Sequence, residues 1–396
     1  MPPAPEPEGL TLRPARRRLL RWAPLIALTL LVAVAVGAAL SWHFSSRVLV
    51  PDHSPWSKEV DIAALGRGEI VLEREEATER PGYYGLVWHG GHAVVGPVLK
   101  TSTDTVTRRL SAVRGYLAPG MDAGLDTDVF AGNPREARGL SYRSVAVPGE
   151  LGPMPAWLIP VGRAGHRRGR ATTWAIVVHG INSDPQVGLR IAPTLHRAGL
   201  ASLLITYRDD LGAPRSPDGF HHQGQTEWRD LAAAVRFALD RGARRVVLVG
   251  YSMGGALISQ FMQHSPLAGR VAGLVLDAPA LDWEEILRFN ATEMALPALA
   301  ALPVQWVIGA RIDADWDSLD AARHPDAFRP PVLLFHGSDD SLVPIESSEE
   351  FARALPPGRV SYFAVPEAGH TQAWNVAPRL YERRLLRFLN LALKGQ

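Results

Sequence analysis

From about position 173 onward, short apolar runs alternate with longer stretches of helical spacing. The runs are Trp174 to Val178, Ala201 to Thr206, Arg245 to Val249, Val271 to Leu276, Pro331 to Phe335 and Val360 to Val365. An unbroken apolar run of this length suits a strand buried on both faces. With helices expected near 187–198 and 226–240, the alternation predicts a mostly parallel sheet covered on both sides. Upstream the pattern differs. Glu69 to Leu72, Tyr83 to Trp88 and His92 to Val95 read as strands, with turns such as Gly90-Gly91 between them. They define a small β-rich accessory region over 45–139. Tyr142 to Val147 and Pro155 to Pro160 read as an antiparallel pair that opens the larger α/β domain, residues 140–396. Over 278–330 the alternation lapses. Trp283, Ile286, Leu287 and Asn290 share a helical spacing, and Met294, Leu296, Leu299, Leu302, Trp306 and Ile308 continue an apolar stretch broken by prolines. A cap is expected there, with ordinary core helices as the other reading.

The N-terminus has its own logic. Residues 1–23 form a basic tail with Arg13, Arg16, Arg17, Arg18 and Arg21, and residues 24–44 carry no charge. At about 1.5 Å per helical residue, that stretch with its flanks is long enough to cross a bilayer. Trp22 and Trp42 suit its two interfaces, and the arginines should stay on the cytoplasmic side. A single-pass anchor is therefore expected, with the α/β domain outside. Small residues at Ala38, Ala39 and Ser41 keep a cleaved signal peptide and a secreted product as the alternative. The net charge of +2 comes from this tail. Taking away the first 44 residues removes five basic and two acidic side chains and leaves 37 against 38. A near-neutral ectodomain argues against a nucleic-acid partner. The chain has no cysteine, which excludes disulfides, thiolate metal sites and a Cys nucleophile. The pair His221-His222 is read as solvated, so no metal and no cofactor are expected.

The chemistry is concentrated after the buried strands. Arg245 to Val249 runs straight into Gly250-Tyr251-Ser252-Met253-Gly254, and Ala256 to Met262 reads as a helix. Strand, tight turn with Ser, then helix is the setting of a nucleophile elbow, whose crowding requires glycine on both sides of Ser252. Downstream, Pro331 to Phe335 leads to a loop with Asp339 and Asp340, and Val360 to Val365 leads to His370. Nucleophile, acid and base thus follow in the order Ser, Asp, His. Asp277, at the end of another strand, is a weaker candidate for the acid.

His336-Gly337, Asp340 and Val343-Pro344, together with Ala368-Gly369-His370, resemble the acid and base motifs of α/β-hydrolases of the serine-aminopeptidase or prolyl-oligopeptidase-like type, a group that also contains many esterases and lipases. Pro81 to Leu86, Ser216 to Gly219, Thr226 to Leu231 and Leu276 to Pro279 are similar to segments of membrane-anchored bacterial members. The resemblance implies the α/β-hydrolase fold and assigns Ser252 as nucleophile, Asp340 as acid and His370 as base. It also implies an oxyanion hole formed by the amides of Met253 and Ile181, the latter in the loop His179-Gly180-Ile181-Asn182, with Asn182 as the other candidate. Thr226 is read as a helix N-cap.

The function expected is hydrolysis of a carboxylic ester or thioester, including lipid-like ones, through an acyl-enzyme. Cleavage of a peptide or aminoacyl amide, and a catalytically silent binding module on the membrane, are the alternatives. Trp283, Leu287, Met294 and Trp306 are the expected wall of an apolar substrate pocket. The arginine pattern makes a direct prediction. Protease added to intact spheroplasts should degrade the hydrolase domain; protection of that domain would reverse the orientation, and a soluble mature form would favour signal cleavage.

Overall fold

The computed structural model describes residues 13–54, 58–161 and 172–393, without the side chains of residues 13–23 and 58. The basic loop from Gly162 to Arg170 and the tail's arginine side chains lie outside the described residues. A helix from Arg13 to Leu49 opens the chain and contains one stretch, Pro24–Leu49, long and apolar enough to cross a membrane.

The larger sheet has eight strands: β8 (Arg143–Pro148), β9 (Pro153–Ile159), β10 (Thr173–Val178), β11 (Ala201–Ile205), β12 (Arg245–Tyr251), β13 (Val271–Asp277), β14 (Val332–Gly337) and β15 (Val360–Val365). Their spatial order is β15-β14-β13-β12-β10-β11-β9-β8. The six from β10 to β15 are parallel, and β8 and β9 extend one edge as an antiparallel pair. Every residue of β10, β11, β13 and β14 is buried, as expected for strands sandwiched between helices. One face packs on the helices Trp228–Asp240 and Met253–His264, the other on Ala192–Ala198 and Pro378–Ala392. This is the α/β-hydrolase fold. Ligand chemistry in such sheets gathers at the carboxyl ends of the parallel strands. Here the register pairs Val178 with Gly250, Tyr251 with Asp277, and Asp277 with Phe335, so the loops after β10, β12, β13 and β14 open side by side.

The accessory region forms a separate antiparallel sheet of seven strands: β1 (Lys58–Val60), β2 (Ile62–Gly66), β3 (Glu69–Glu73), β4 (Tyr84–Trp88), β5 (Gly91–Thr101), β6 (Thr105–Arg114) and β7 (Ala123–Asp126), in the order β1-β7-β4-β5-β6-β3-β2. It has its own apolar core around Ile70, Leu72, Leu86 and Val95. Its joint to the hydrolase domain is polar and specific. Arg108 is fully buried, and burial lowers its pKa to about 10. Its guanidinium donates to the carbonyls of Gly96, Thr78, Arg80 and Gly82. The Gly82 turn so fixed lies against Asn375. A Cβ at Gly82 would come within 2.5 Å of the Asn375 carbonyl oxygen, and φ there is +104°, so only glycine fits. Asn375 then donates from Nδ2 to the carbonyls of Tyr83 and Thr127, both at 2.9 Å, and its own carbonyl accepts from the Tyr83 amide.

Two expectations need correction. The helix expected near 187–198 is a 3-10 turn, Pro185–Arg190, followed by the helix Ala192–Ala198. Thr226 is not an N-cap. The helix starts at Trp228, and the buried Glu227 carboxylate instead gathers the amides of His222 and Gly224. Asn375→Ala should leave the Tyr83 and Thr127 carbonyls and an Arg190 donor unpaired in a dry joint. The expected cost is about 1–3 kcal/mol, read as a lower Tm of the full chain in detergent; an unchanged Tm would mean that this joint does not couple the two sheets.

Candidate active site

Crowding fixes the turn after β12. A Cβ on Gly250 would lie 2.7 Å from the backbone of Gly254, and one on Gly254 would lie 2.4 Å from the carbonyl oxygen of Val178. The chain therefore reverses against the end of β10 with no room for side chains, and Ser252 is driven to φ 51°, ψ −120°. This strained backbone is held by the Ser252 amide donating to the Asp277 carbonyl and by the Ala280 amide donating to the Ser252 carbonyl. The result is a side chain that heads the helix Met253–His264 and faces the loops of the neighbouring strands.

Ser252, His370 and Asp340 meet there. His370 Nε2 is 2.8 Å from Ser252 Oγ, and His370 Nδ1 is 2.8 Å from Asp340 Oδ2. The other oxygen of Asp340 accepts the amides of Leu342 and Val343, each at 2.9 Å. His336 Nε2 lies 3.1 Å from Oδ2, and the Ser348 hydroxyl holds the far side of that ring. Burial alone would raise the Asp340 pKa. His370, with the hydrogen bonds of His336 and His370, outweighs it and holds the carboxyl well below the usual range. Asp340 thus favours its charged form and lies against one ring nitrogen of His370.

The other two acid candidates sit elsewhere. Asp339 is exposed and accepts from the Ser338 hydroxyl. Asp277 is fully buried, and neither carboxylate oxygen has a hydrogen bond of ordinary geometry. Burial raises its pKa to about 6, only partly offset by Arg190 and the nearby Tyr381 hydroxyl.

The loop after β10 lies on the opposite side of Ser252. A Cβ on Gly180 would be 3.0 Å from the Ser252 Cβ, so this loop passes close against the serine. Among the described residues neither the Ile181 N–H nor the Met253 N–H has a protein acceptor. The loop is pinned from below. The Gly180 carbonyl accepts from the Tyr207 hydroxyl and faces His179 Nδ1, both at 2.8 Å. The His179 ring stacks on Tyr207, and its Nε2 is 2.8 Å from Asp210. Burial opposes a charge on His179, but Asp210 and these bonds prevail and raise its pKa. These contacts hold the Gly180 carbonyl, and with it the start of the loop that carries Ile181.

Sequence reasoning did not find Tyr207, Asp210 or Arg190. Arg190 is buried behind His370, where Nη1 donates to the carbonyl of Thr371 and to Asn375 Oδ1, both at 2.7 Å. Only an Arg at the end of an apolar 3-10 turn hinted at it. The proposed pocket wall is not assembled. Trp283 is buried in the main core and Leu287 is half-buried, whereas Met294 and Trp306 are 53% and 78% exposed on the outer surface. Met294 ends the helix Trp283–Glu293 and Trp306 lies in the helix Ala298–Ile312, which meets the first at a bend of 119°. His221 and His222 are occupied locally, by Asn182 and Asp218.

Fold and site together define an α/β-hydrolase of the serine-hydrolase class. Its second half, residues 216–396, matches the prolyl oligopeptidase family, and residues 61–126 match a domain of unknown function, DUF8805. An uncharacterized protein of Mycobacterium tuberculosis is 28% identical over 61% of this chain and 76% of its own length. The esterase LipC of the same organism is 27% identical over 49% of this chain and 50% of its own. Among solved structures, the Pyrococcus furiosus esterase Pf2001 superposes with a TM-score of 0.51 at 19% identity, covering 66% of this chain and 94% of that one.

The three carboxylates should separate by experiment. Asp340→Asn is expected to lower kcat by about 10⁴-fold, while Asp339→Asn and Asp277→Asn leave it within a few-fold. Asp277 has a second signature. Its folded pKa of about 6 lies above the unfolded value, so it favours folding below pH 4 and loses that contribution as pH rises to 6. The loss is roughly 3 kcal/mol. Asp277→Asn should therefore gain Tm relative to wild type between pH 4 and pH 7; a constant offset would contradict the assignment.

Proposed function

We propose that the protein is a membrane-anchored serine esterase that cleaves carboxylic esters or thioesters through an acyl-enzyme on Ser252. The observation that carries this reading is the pair of 2.8 Å contacts joining Ser252 Oγ, the two nitrogens of His370, and Asp340. His370 Nε2 takes the Ser252 proton as Oγ attacks the acyl carbon, while Nδ1–H donates to Asp340, whose charge stabilises the imidazolium. The amides of Met253 and Ile181 receive the developing oxyanion, aided by the helix N-terminus at Met253. Collapse of the tetrahedral intermediate breaks the bond to the alcohol or thiol, which leaves with the proton held by His370. Water, deprotonated by His370, then attacks the acyl carbon and releases the acid and free Ser252.

Likeness to an esterase in sequence supports ester substrates. The match to the prolyl oligopeptidase family supports amide hydrolysis as the second reading. The helix Pro24–Leu49 serves as an uncleaved anchor, with the hydrolase domain outside the cytoplasmic membrane. A fluorophosphonate probe should label the full-length protein, and Ser252→Ala should abolish labelling and lower kcat on p-nitrophenyl esters by at least about 10⁴-fold. Labelling at another residue, or none in the wild type, would refute the nucleophile. Turnover of aminoacyl amides but not esters would move the protein to the second reading.

A further inference from the structure

The anchor helix does not simply tether the enzyme. The 26 residues from Pro24 to Leu49 extend about 39 Å, beyond the roughly 30 Å hydrocarbon core, so the last turns emerge alongside the domain. Those turns are docked. Ser41, Ser45 and Leu49, spaced four apart, are buried on one side, and Leu49 packs with Ile308 and Ile312 of the cap. Arg311 donates to the hydroxyls of Ser45 and Ser46, and its guanidinium lies 4.3 Å from the ring of Trp42. The cap is therefore fixed beside the point where the chain leaves the hydrocarbon.

The rest of the cap is out of keeping with a water-facing surface. From Met294 to Ala310 there is no charged residue. Leu299 and Trp306 are 74% and 78% exposed, with Leu302, Leu296 and Met294 beside them. The bent helix pair is apolar enough to pass for a re-entrant membrane segment. An exposed apolar ridge of this size marks an interaction surface.

The same elements border the active site. The Leu49 carbonyl accepts the His221 amide, and the Asp52 amide donates to Asn182, next to Ile181. On the other side, Asn290 of the cap donates to the carbonyl of Leu342, whose amide binds Asp340.

We propose that the cap ridge around Leu299 and Trp306 inserts into the leaflet from which the anchor emerges, so that the active site opens at the bilayer surface and takes acyl esters resident in the lipid. Continuity with the anchor identifies the occupant as lipid rather than a protein partner. The substrate part rests on the esterase reading, and the insertion on the anchor reading.

Because the chain lacks cysteine, Leu299→Cys accepts a single environment-sensitive fluorophore. In the full chain, reconstituted in phosphatidylcholine vesicles, that label should be quenched by doxyl lipids and shielded from iodide. A label at Glu350→Cys should behave in the opposite way. Iodide access at 299 equal to that at 350 would overturn the insertion, as would shielding from both quenchers together with a crosslinked dimer. In a second arm, Leu299→Glu combined with Leu302→Glu should lower turnover of a vesicle-borne long-chain ester at least tenfold and keep that of water-soluble p-nitrophenyl butyrate within twofold. Equal effects on both esters would overturn the lipid-substrate assignment. A wild type that turns over neither ester would refute the esterase reading, and the quenching result would still decide the insertion.

Discussion

The contact of the turn at Gly250 to Gly254 with the end of β10 is the constraint on which the site depends. Gly254 touches the carbonyl of Val178 so closely that a methyl group would overlap it. Strand, turn and helix are thereby locked into one rigid corner, and the strain at Ser252 is borne by the parallel sheet behind it. Every other member of the constellation is placed relative to that corner. The register of the parallel strands sets where the loops after β10 and β14 begin, and hence how far Ile181 and Asp340 stand from the serine.

His370 depends on a longer chain of contacts. Its loop is short of regular structure, so its position is secured from behind by Arg190 on the Thr371 carbonyl. Arg190 is held in turn by Asn375, and Asn375 by the accessory sheet through Tyr83 and Thr127. The accessory domain thus buttresses the base. Buried arginines appear on both sides of this joint, Arg108 in the accessory sheet and Arg190 at the end of the 3-10 turn Pro185–Arg190, and each donates to backbone carbonyls. Such groups are costly to bury and specify one docking geometry.

The fold was legible because buried parallel strands are continuous apolar runs, and because the elbow's glycines are dictated by local crowding. Ser252 could be named because it follows directly on a strand end between glycines, whereas Asp340 was singled out from Asp339 and Asp277 by the resemblance to the α/β-hydrolase acid and base motifs, which also marks His370. What remained hidden was long-range. Nothing near Tyr207 or Asp210 announces that they clamp Gly180, since they lie on the neighbouring strand's loop. Nothing around Asn375 points to Tyr83 and Thr127, which lie 292 and 248 residues away. The cap misled in another way. Apolar residues at helical spacing fit a pocket wall and a lipid-facing surface equally well, and only the structure distinguishes Trp283, which is buried, from Trp306, which is not.

The central claim is that Ser252 carries the acyl group between two half-reactions. Rapid mixing of the full-length enzyme with a p-nitrophenyl ester, with quenching on the millisecond scale and mass spectrometry of the digested protein, tests it directly. The account predicts a burst of nitrophenol stoichiometric with enzyme and an acyl mass on the peptide containing Ser252. Steady turnover with no burst and no adduct, or an adduct on any other residue, would contradict it.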